Sequence, residues 1–206
     1  MITLNQLDNY WNYCLSIERN LEITTNFVEV CDDNDKTYSF EFAKIIMLAC
    51  SEIDVLCRLL CKAINPSSDF EDSTTRTGNI KEYADLILPR FPKIVTFEIY
   101  NDKKHCPIIP FKDWHITPSY SSPTWWNDYQ LIKHYRHDEY KRANQSNAFY
   151  SVAGLIILNF YLYRLIADEP YANPGSSILF SSNTTSPIIY CRANGELPDF
   201  AGDDEK

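Results

Sequence analysis

The sequence predicts an all-α fold, a helical bundle with small β-hairpin additions. Apolar residues recur at helical spacing over the first 21 residues and again from residue 39 to 64. A third segment, residues 143–167, is the most apolar of the chain and is also helical in pattern. The 206 residues contain no internal repeat and no clean linker, and this length suits one domain better than two. We therefore expect a single domain over residues 1–206 that ends in an acidic tail at 199–206.

The N-terminal region is predicted to begin with an amphipathic helix from Leu4 to Leu21, because Leu7, Trp11 and Ile17 keep helical spacing. Residues 22–30 are β-branched and alternate between polar and apolar, so we expect a strand or an extended arm there. The acidic run at residues 32–36 is typical of a turn.

A long helix is predicted to start at the cap residue Ser39 and to end near Ile64, before the sequence Asn-Pro. One narrow polar stripe runs along it, and its members are Lys44, Ser51, Asp54, Arg58 and Lys62. Glu52 falls about 100° away from that stripe, at the edge of the core. A carboxylate at such a position needs a partner.

The middle of the chain alternates loops with short elements. Residues 65–78 are a polar loop, and a short helix from Ile80 to Leu88 is expected to end at Pro89. Residues 95–100 and 105–109 flank a polar turn and predict an edge hairpin. A loop at 119–124 leads into a helix from Trp125 to Tyr140, and the apolar helix 143–167 follows. The apolar runs 178–180 and 188–190 are expected to form a weak hairpin or strands against the bundle.

The net charge of −9 restricts the classes of ligand that the chain can bind. Proteins that bind duplex nucleic acid by neutralising phosphates are usually basic, so any nucleic-acid contact here must come from a local patch. No glycine-rich phosphate loop is present, which disfavours nucleotidyl transfer.

The cysteines and the terminal sequence bear on the compartment. Seven cysteines occur without a Cys-x-x-Cys pair, and Cys50, Cys57 and Cys61 share one helix face, so we expect buried free thiols and no metal or other cofactor. Free thiols imply a reducing compartment, and the first residues do not resemble a signal peptide. Polar residues interrupt the apolar stretch 148–167, which favours a core helix over a membrane span. These features together predict a cytoplasmic protein without a membrane anchor.

The segment from residue 125 to 144 is the densest group of polar and aromatic side chains. On a helix, its polar groups occupy two neighbouring faces, the first with Asn127, Gln130 and His134 and the second with Tyr129, Lys133 and Arg136. Asp138 lies four residues from both His134 and Arg142, so it can orient the imidazole or pair with the guanidinium. Four cations stand here against three anions, and in this acidic chain the segment is the least unfavourable place for a phosphate.

A helix of this composition can act on RNA. Cleavage through the 2′-hydroxyl needs a group that moves a proton, which suits histidine, and a fixed cation for the charge that develops on the phosphate. Trp125, Tyr129 and Tyr135 are expected to offer rings on which single-stranded bases can stack. The same residues are also typical of a solvated helix face or of a protein-binding surface, and both interpretations remain open.

Three helices of the chain resemble those of HEPN domains, which are small helical bundles, often dimeric, of abortive-infection, toxin–antitoxin and CRISPR-associated systems. The residues that carry the resemblance are Ser51-Glu52-Ile53-Asp54 in the long helix, Asn127 with Lys133-His134 in the later one, and the closing apolar helix. The resemblance covers residues 40–167. It implies a homodimer that binds RNA, a metal-independent endoribonuclease activity and a role in antiviral defence.

The resemblance also implies roles for individual residues. His134 occupies the place of the catalytic histidine of the family, although the family's arginine, four to six residues earlier, is missing because Asp128, Tyr129 and Gln130 stand there. We expect His134 to act as acid or base, Lys133 and Arg136 to contact phosphate, and Glu52 to orient one of them. The residues expected to bind substrate are Asp54, Trp126, Asn127, Tyr129 and Arg142. The alternative is a non-enzymatic sensor or inhibitor that binds a protein partner.

Overall fold

The computed structural model describes residues 3–68, 70, 78–167 and 174–181. Within these residues the fold is mainly helical with a small antiparallel sheet, which confirms the predicted class. Its five α-helices are α1 (Leu4–Thr24), α2 (Phe40–Ile64), α3 (Ile80–Arg90), α4 (Thr124–Glu139) and α5 (Gln145–Ala167). Its strands are β1 (Ile99–Asn101), β2 (Cys106–Ile108) and β3 (Phe180–Ser181).

Helix α1 is longer than its periodicity predicts. Its apolar face is buried, as expected, but the helix continues to Thr24 and is followed by a turn. The strand or extended arm predicted for residues 22–30 is therefore wrong. The Thr24 and Thr25 hydroxyls donate to the carbonyl oxygens of Leu21 and Glu22 at 2.6 and 2.7 Å, so these β-branched residues end the helix instead of opening a strand.

Helices α2 and α5 form the centre of the bundle, and the other helices pack around them. The Ser39 hydroxyl accepts a hydrogen bond from the Phe42 N–H at 3.1 Å, which confirms the predicted cap of α2. Cys50, Cys57 and Cys61 are free thiols buried on one face, and burial raises the pKa of each.

Helix α5 is long and apolar enough to cross a membrane by length and composition alone. Its most apolar stretch is nevertheless 72% buried inside the fold, and every residue from 147 to 162 except Tyr150 is buried. The packing is that of a core helix, in agreement with the prediction.

Two elements in the middle of the chain differ from their predictions, each of them beside a proline. Helix α3 continues to Arg90 and includes Pro89 in its last turn, where the Phe91 N–H still donates to the Ile87 carbonyl at 2.8 Å. Pro92 then begins a 3₁₀ turn over Pro92–Thr96, because proline suits the first position of a helical turn. The predicted strand at 95–100 is therefore too long.

The sheet has the order β2–β1–β3. Strands β1 and β2 form the predicted hairpin, with Ile99 opposite Ile108, and the buried Asn101 side chain accepts hydrogen bonds from the N–H groups of Lys103 and Lys104 in the turn. Strand β3 pairs with β1, so Phe180 of the predicted 178–180 run lies in a strand, whereas Ile178 and Leu179 precede it. The predicted run at 188–190 lies outside the described residues.

A buried carboxylate holds the 174–181 segment on α1. Oε1 of Glu18 accepts hydrogen bonds from the N–H groups of Ile178 and Leu179, both at 2.9 Å, and one from the Ser177 hydroxyl. Burial outweighs these bonds and raises the pKa of Glu18.

Candidate functional site

The first half of α4, residues 124–132, packs into the core. Trp125 is 3% exposed, and its Nε1–H donates to the Pro110 carbonyl at 2.6 Å. Trp126, Tyr129 and Ile132 are also buried. The expectation that Trp125 and Tyr129 are exposed for stacking is therefore wrong, because α4 turns these large rings onto the bundle, where burial of aromatic surface is favourable.

The second half of α4 behaves differently. Every residue from 133 to 138 is exposed, and the backbone leaves helical geometry at Tyr135, where φ is −132° and ψ is 37°. Tyr135 is 56% exposed, so it keeps the accessible ring expected of it. The buried aromatic half thus ends at Ile132, and the backbone changes direction three residues later, within the exposed charged half.

The exposed half borders a groove of about 730 Å³, the cationic groove. Its four polar lining residues come from α4, and its apolar wall comes mainly from α2 and the turn after α4. The lining residues are Phe40, Met47, Ile132, Lys133, His134, Arg136, His137 and Tyr140. Two imidazoles and two permanent cations therefore face one space.

Aromatic rings form the rim of the cationic groove. Phe40 is 78% exposed, and its ring centroid lies 5.1 Å from that of Tyr140. Tyr38 meets the same tyrosine edge to face at 5.3 Å. Exposed rings beside cations suit a ligand that combines flat apolar groups with negative charge.

The acidic residues near α4 have partners other than those expected. Asp138 Oδ2 lies 2.9 Å from His137 Nε2, and Asp138 forms no hydrogen bond or ion pair with His134 or Arg142. The guanidinium of Arg142 pairs instead with Asp128 and Glu139, each at 2.5 Å. Arg142, expected to bind substrate, is thus engaged within the fold. Because α4 is kinked at Tyr135, the spacing of an ideal helix does not hold beyond it.

A second groove, of about 670 Å³, lies on the other side of α4 between α2 and the start of α3 and is called the amide groove. Its lining includes three primary amides, three cations and one carboxylate, namely Asn79, Asn127, Gln130, Arg58, Lys81, Lys133 and Asp54. Tyr120, Trp126 and Tyr129 contribute aromatic surface, and burial raises the pKa of Tyr129 to about 12. Lys133 lines both grooves.

The residues singled out in the sequence thus separate into two groups. Three of the four residues expected to take part in catalysis, Lys133, His134 and Arg136, line the cationic groove. Those expected to bind substrate, Asp54, Trp126, Asn127 and Tyr129, line the amide groove. His137 shares the cationic groove and was not among the expected site residues, although it stands three residues after His134, a spacing at which helical side chains are neighbours.

Glu52 lies apart from both groups. It is half-buried, and burial raises its pKa. The pKa of Cys14 on α1 is raised first by burial and then by the negative charges of Glu18 and Glu52. Glu52 therefore lies near α1, and it lines neither of the two grooves beside α4.

Within the described residues, no three or more His, Cys, Asp or Glu side chains are grouped so that they could hold a metal ion. No known family model matches the chain, and no curated protein or solved structure is significantly similar to it. A function for the chain is therefore inferred from the geometry of α4 and its two grooves.

Proposed function

We propose that the chain binds single-stranded RNA along the exposed half of α4 and cleaves it without a metal ion. The observation that carries the proposal is that His134 and His137 line one groove together with Lys133 and Arg136. Two imidazoles can divide the two proton transfers of the reaction, and two cations can bind the phosphate.

The reaction needs no external co-reactant. One imidazole accepts the proton of the 2′-hydroxyl while its oxygen attacks the phosphorus, and the other, as imidazolium, donates a proton to the 5′-oxygen as the P–O5′ bond breaks. The products are a 2′,3′-cyclic phosphate and a 5′-hydroxyl. Lys133 and Arg136 offset the additional negative charge on the phosphate oxygens in the transition state.

The rim supports a single-stranded substrate. Phe40 and Tyr140 present rings beside the cations, and unpaired bases stack on such rings irrespective of their identity. A net charge of −9 opposes binding elsewhere on the protein, so the local cations direct the strand to this groove.

The resemblance to HEPN domains supports the same proposal. In that family a histidine at the position of His134 acts with an arginine that precedes it, and here Arg136 supplies the guanidinium from the other side. The resemblance extends the proposal to a homodimer in which two copies of α4 face one cleft, in a cytoplasmic antiviral-defence or toxin–antitoxin system. Glu52 has no role in it, because this residue lies near α1.

The test is cleavage of total cellular RNA by the purified chain in the presence of EDTA. His134→Ala and His137→Ala are each expected to lower the rate about 10²- to 10⁴-fold, the usual contribution of a general acid or base. His115→Ala is the matched control, since His115 is exposed and lines neither groove, and its rate should stay unchanged. Equal rates in all three variants, or RNA that stays intact with the unaltered chain, would contradict the proposed cleavage.

A second candidate function is the binding of a protein partner by a sensor or inhibitor. The observation that favours it is the accessible ring of Phe40, because aromatic residues are enriched at protein interfaces. Intact RNA in the cleavage test, together with binding that is insensitive to salt, would favour this candidate over a phosphate ligand.

A further inference from the structure

Two of the three amides that line the amide groove present hydrogen-bond donors to its ligand, because the fold already uses their oxygens. Asn79 caps α3, and its Oδ1 accepts hydrogen bonds from the N–H groups of Lys81 at 3.0 Å and Glu82 at 3.2 Å. Oδ1 of Asn127 accepts a hydrogen bond from the Ser122 hydroxyl at 2.6 Å. The Nδ2 groups of both asparagines are left to donate into the groove that they line.

The charged side chains of this groove also favour a ligand that accepts hydrogen bonds. The Asp54 carboxylate is engaged by the fold, since the Tyr83 hydroxyl donates to Oδ1 at 3.0 Å and Arg58 Nε lies 3.3 Å from Oδ2. Lys81 Nζ lies 5.7 Å from the ring centroid of Tyr120, and Lys133 Nζ lies 5.7 Å from that of Tyr129. Neither lysine pairs with a carboxylate among the described residues. The ligand that fits is an anion rich in hydrogen-bond acceptors.

We propose that the amide groove binds the nucleotide adjacent to the one that is cleaved and prefers a keto base, uracil or guanine. This inference rests on the proposed function, because Lys133 lines both grooves and can hold the phosphate that joins the two nucleotides. The amide N–H groups donate to a base carbonyl. Cytosine and adenine present an exocyclic amino group in its place, and a donor that faces a donor leaves both unsatisfied.

The test compares the binding of 2′-O-methyl oligouridine and oligocytidine of equal length, which cannot be cleaved and differ in the base alone. Uridine is expected to bind about tenfold more tightly, as for one favourable base contact. Asn127→Asp retains the acceptor for Ser122 but removes the Nδ2 donor, and it should bring the ratio of the two affinities close to one. Asn79→Asp retains the cap of α3 and should have the same effect.

Ser51→Asp is the charge control, because Ser51 lines the same groove, is exposed and supplies no amide. It should weaken the binding of both oligonucleotides and leave their ratio unchanged. Equal affinity for uridine and cytidine would overturn the base preference, and if cleavage still depended on His134 the proposed function would stand. An absence of binding to either oligonucleotide at low salt would overturn the base preference and the proposed RNA binding together.

Discussion

The two halves of α4 differ in what their side chains contact. Residues 124–132 bury three aromatic rings and Ile132 and make a 2.6 Å hydrogen bond to the Pro110 carbonyl. Residues 133–138 are all exposed, and four of them line the cationic groove. The first half uses its side chains to fix the helix on the bundle, whereas the second leaves its cations and imidazoles accessible. A rigid element that ends in an exposed charged turn can hold reactive groups in a fixed geometry without burying them.

The largest expected effect on stability is that of Trp125→Ala in the packed half. Removal of this ring leaves a cavity beside Phe111 and frees the Pro110 carbonyl, so the free energy of unfolding should fall by about 3–5 kcal/mol. Urea denaturation measures this change. His134→Ala in the exposed half should stay within about 0.5 kcal/mol of the unaltered chain. Similar losses in the two variants would mean that the halves do not differ as described.

Two aspartates of α4, one in each half, are expected to differ in their contribution to stability by a smaller amount. Asp128 accepts hydrogen bonds from Arg142 at 2.5 Å and Asn147 at 2.8 Å, so Asp128→Ala leaves both donors without this partner and should cost about 1–2 kcal/mol. Asp138 has an exposed side chain beside His137, and Asp138→Ala should cost less than about 0.5 kcal/mol. Thermal unfolding of the two variants at equal ionic strength gives the comparison. A larger loss for Asp138→Ala would contradict it.

A pH dependence gives a further comparison, because Tyr129 belongs to the packed half of α4. Burial raises the pKa of Tyr129 to about 12, so folding disfavours its ionised form. The corresponding stability is fully present below the pKa of about 10 in the unfolded chain and is lost as the pH rises from there through about 12. Tyr129→Phe lacks this ionisation, so the difference in unfolding free energy between the two proteins should change in that window. A constant difference between pH 9 and about 12 would show that the hydroxyl ionises freely in the folded state.

Periodicity predicted most of the fold because each helix buries a face that the sequence marks. The errors fall where neighbours or prolines override local preference. Thr24 and Thr25 are β-branched but bond back to α1, and Pro92 begins a 3₁₀ turn in place of a longer strand. The hairpin and its polar turn were predictable because they depend on neighbouring residues in the chain.

The candidate site was predictable in composition and less so in arrangement. An ideal helix places Asp138 beside His134, but the backbone change at Tyr135 brings it to His137. The burial of Trp125 and Tyr129 depends on how α4 lies against the core, which a single helix pattern does not contain. The separation of the expected residues into two grooves likewise depends on the placement of α2 and α3 around α4.

The central claim, that the exposed half of α4 is the surface that binds RNA, is tested most directly by the salt dependence of binding. A 2′-O-methyl oligonucleotide should bind less tightly as salt increases, and Arg136→Ala should lower affinity and the slope of log K against log salt by about 0.7, as for one lost phosphate contact. Lys112→Ala removes one exposed cation that lines neither groove and should leave both quantities unchanged. Equal effects of the two substitutions, or no dependence on salt, would contradict the claim.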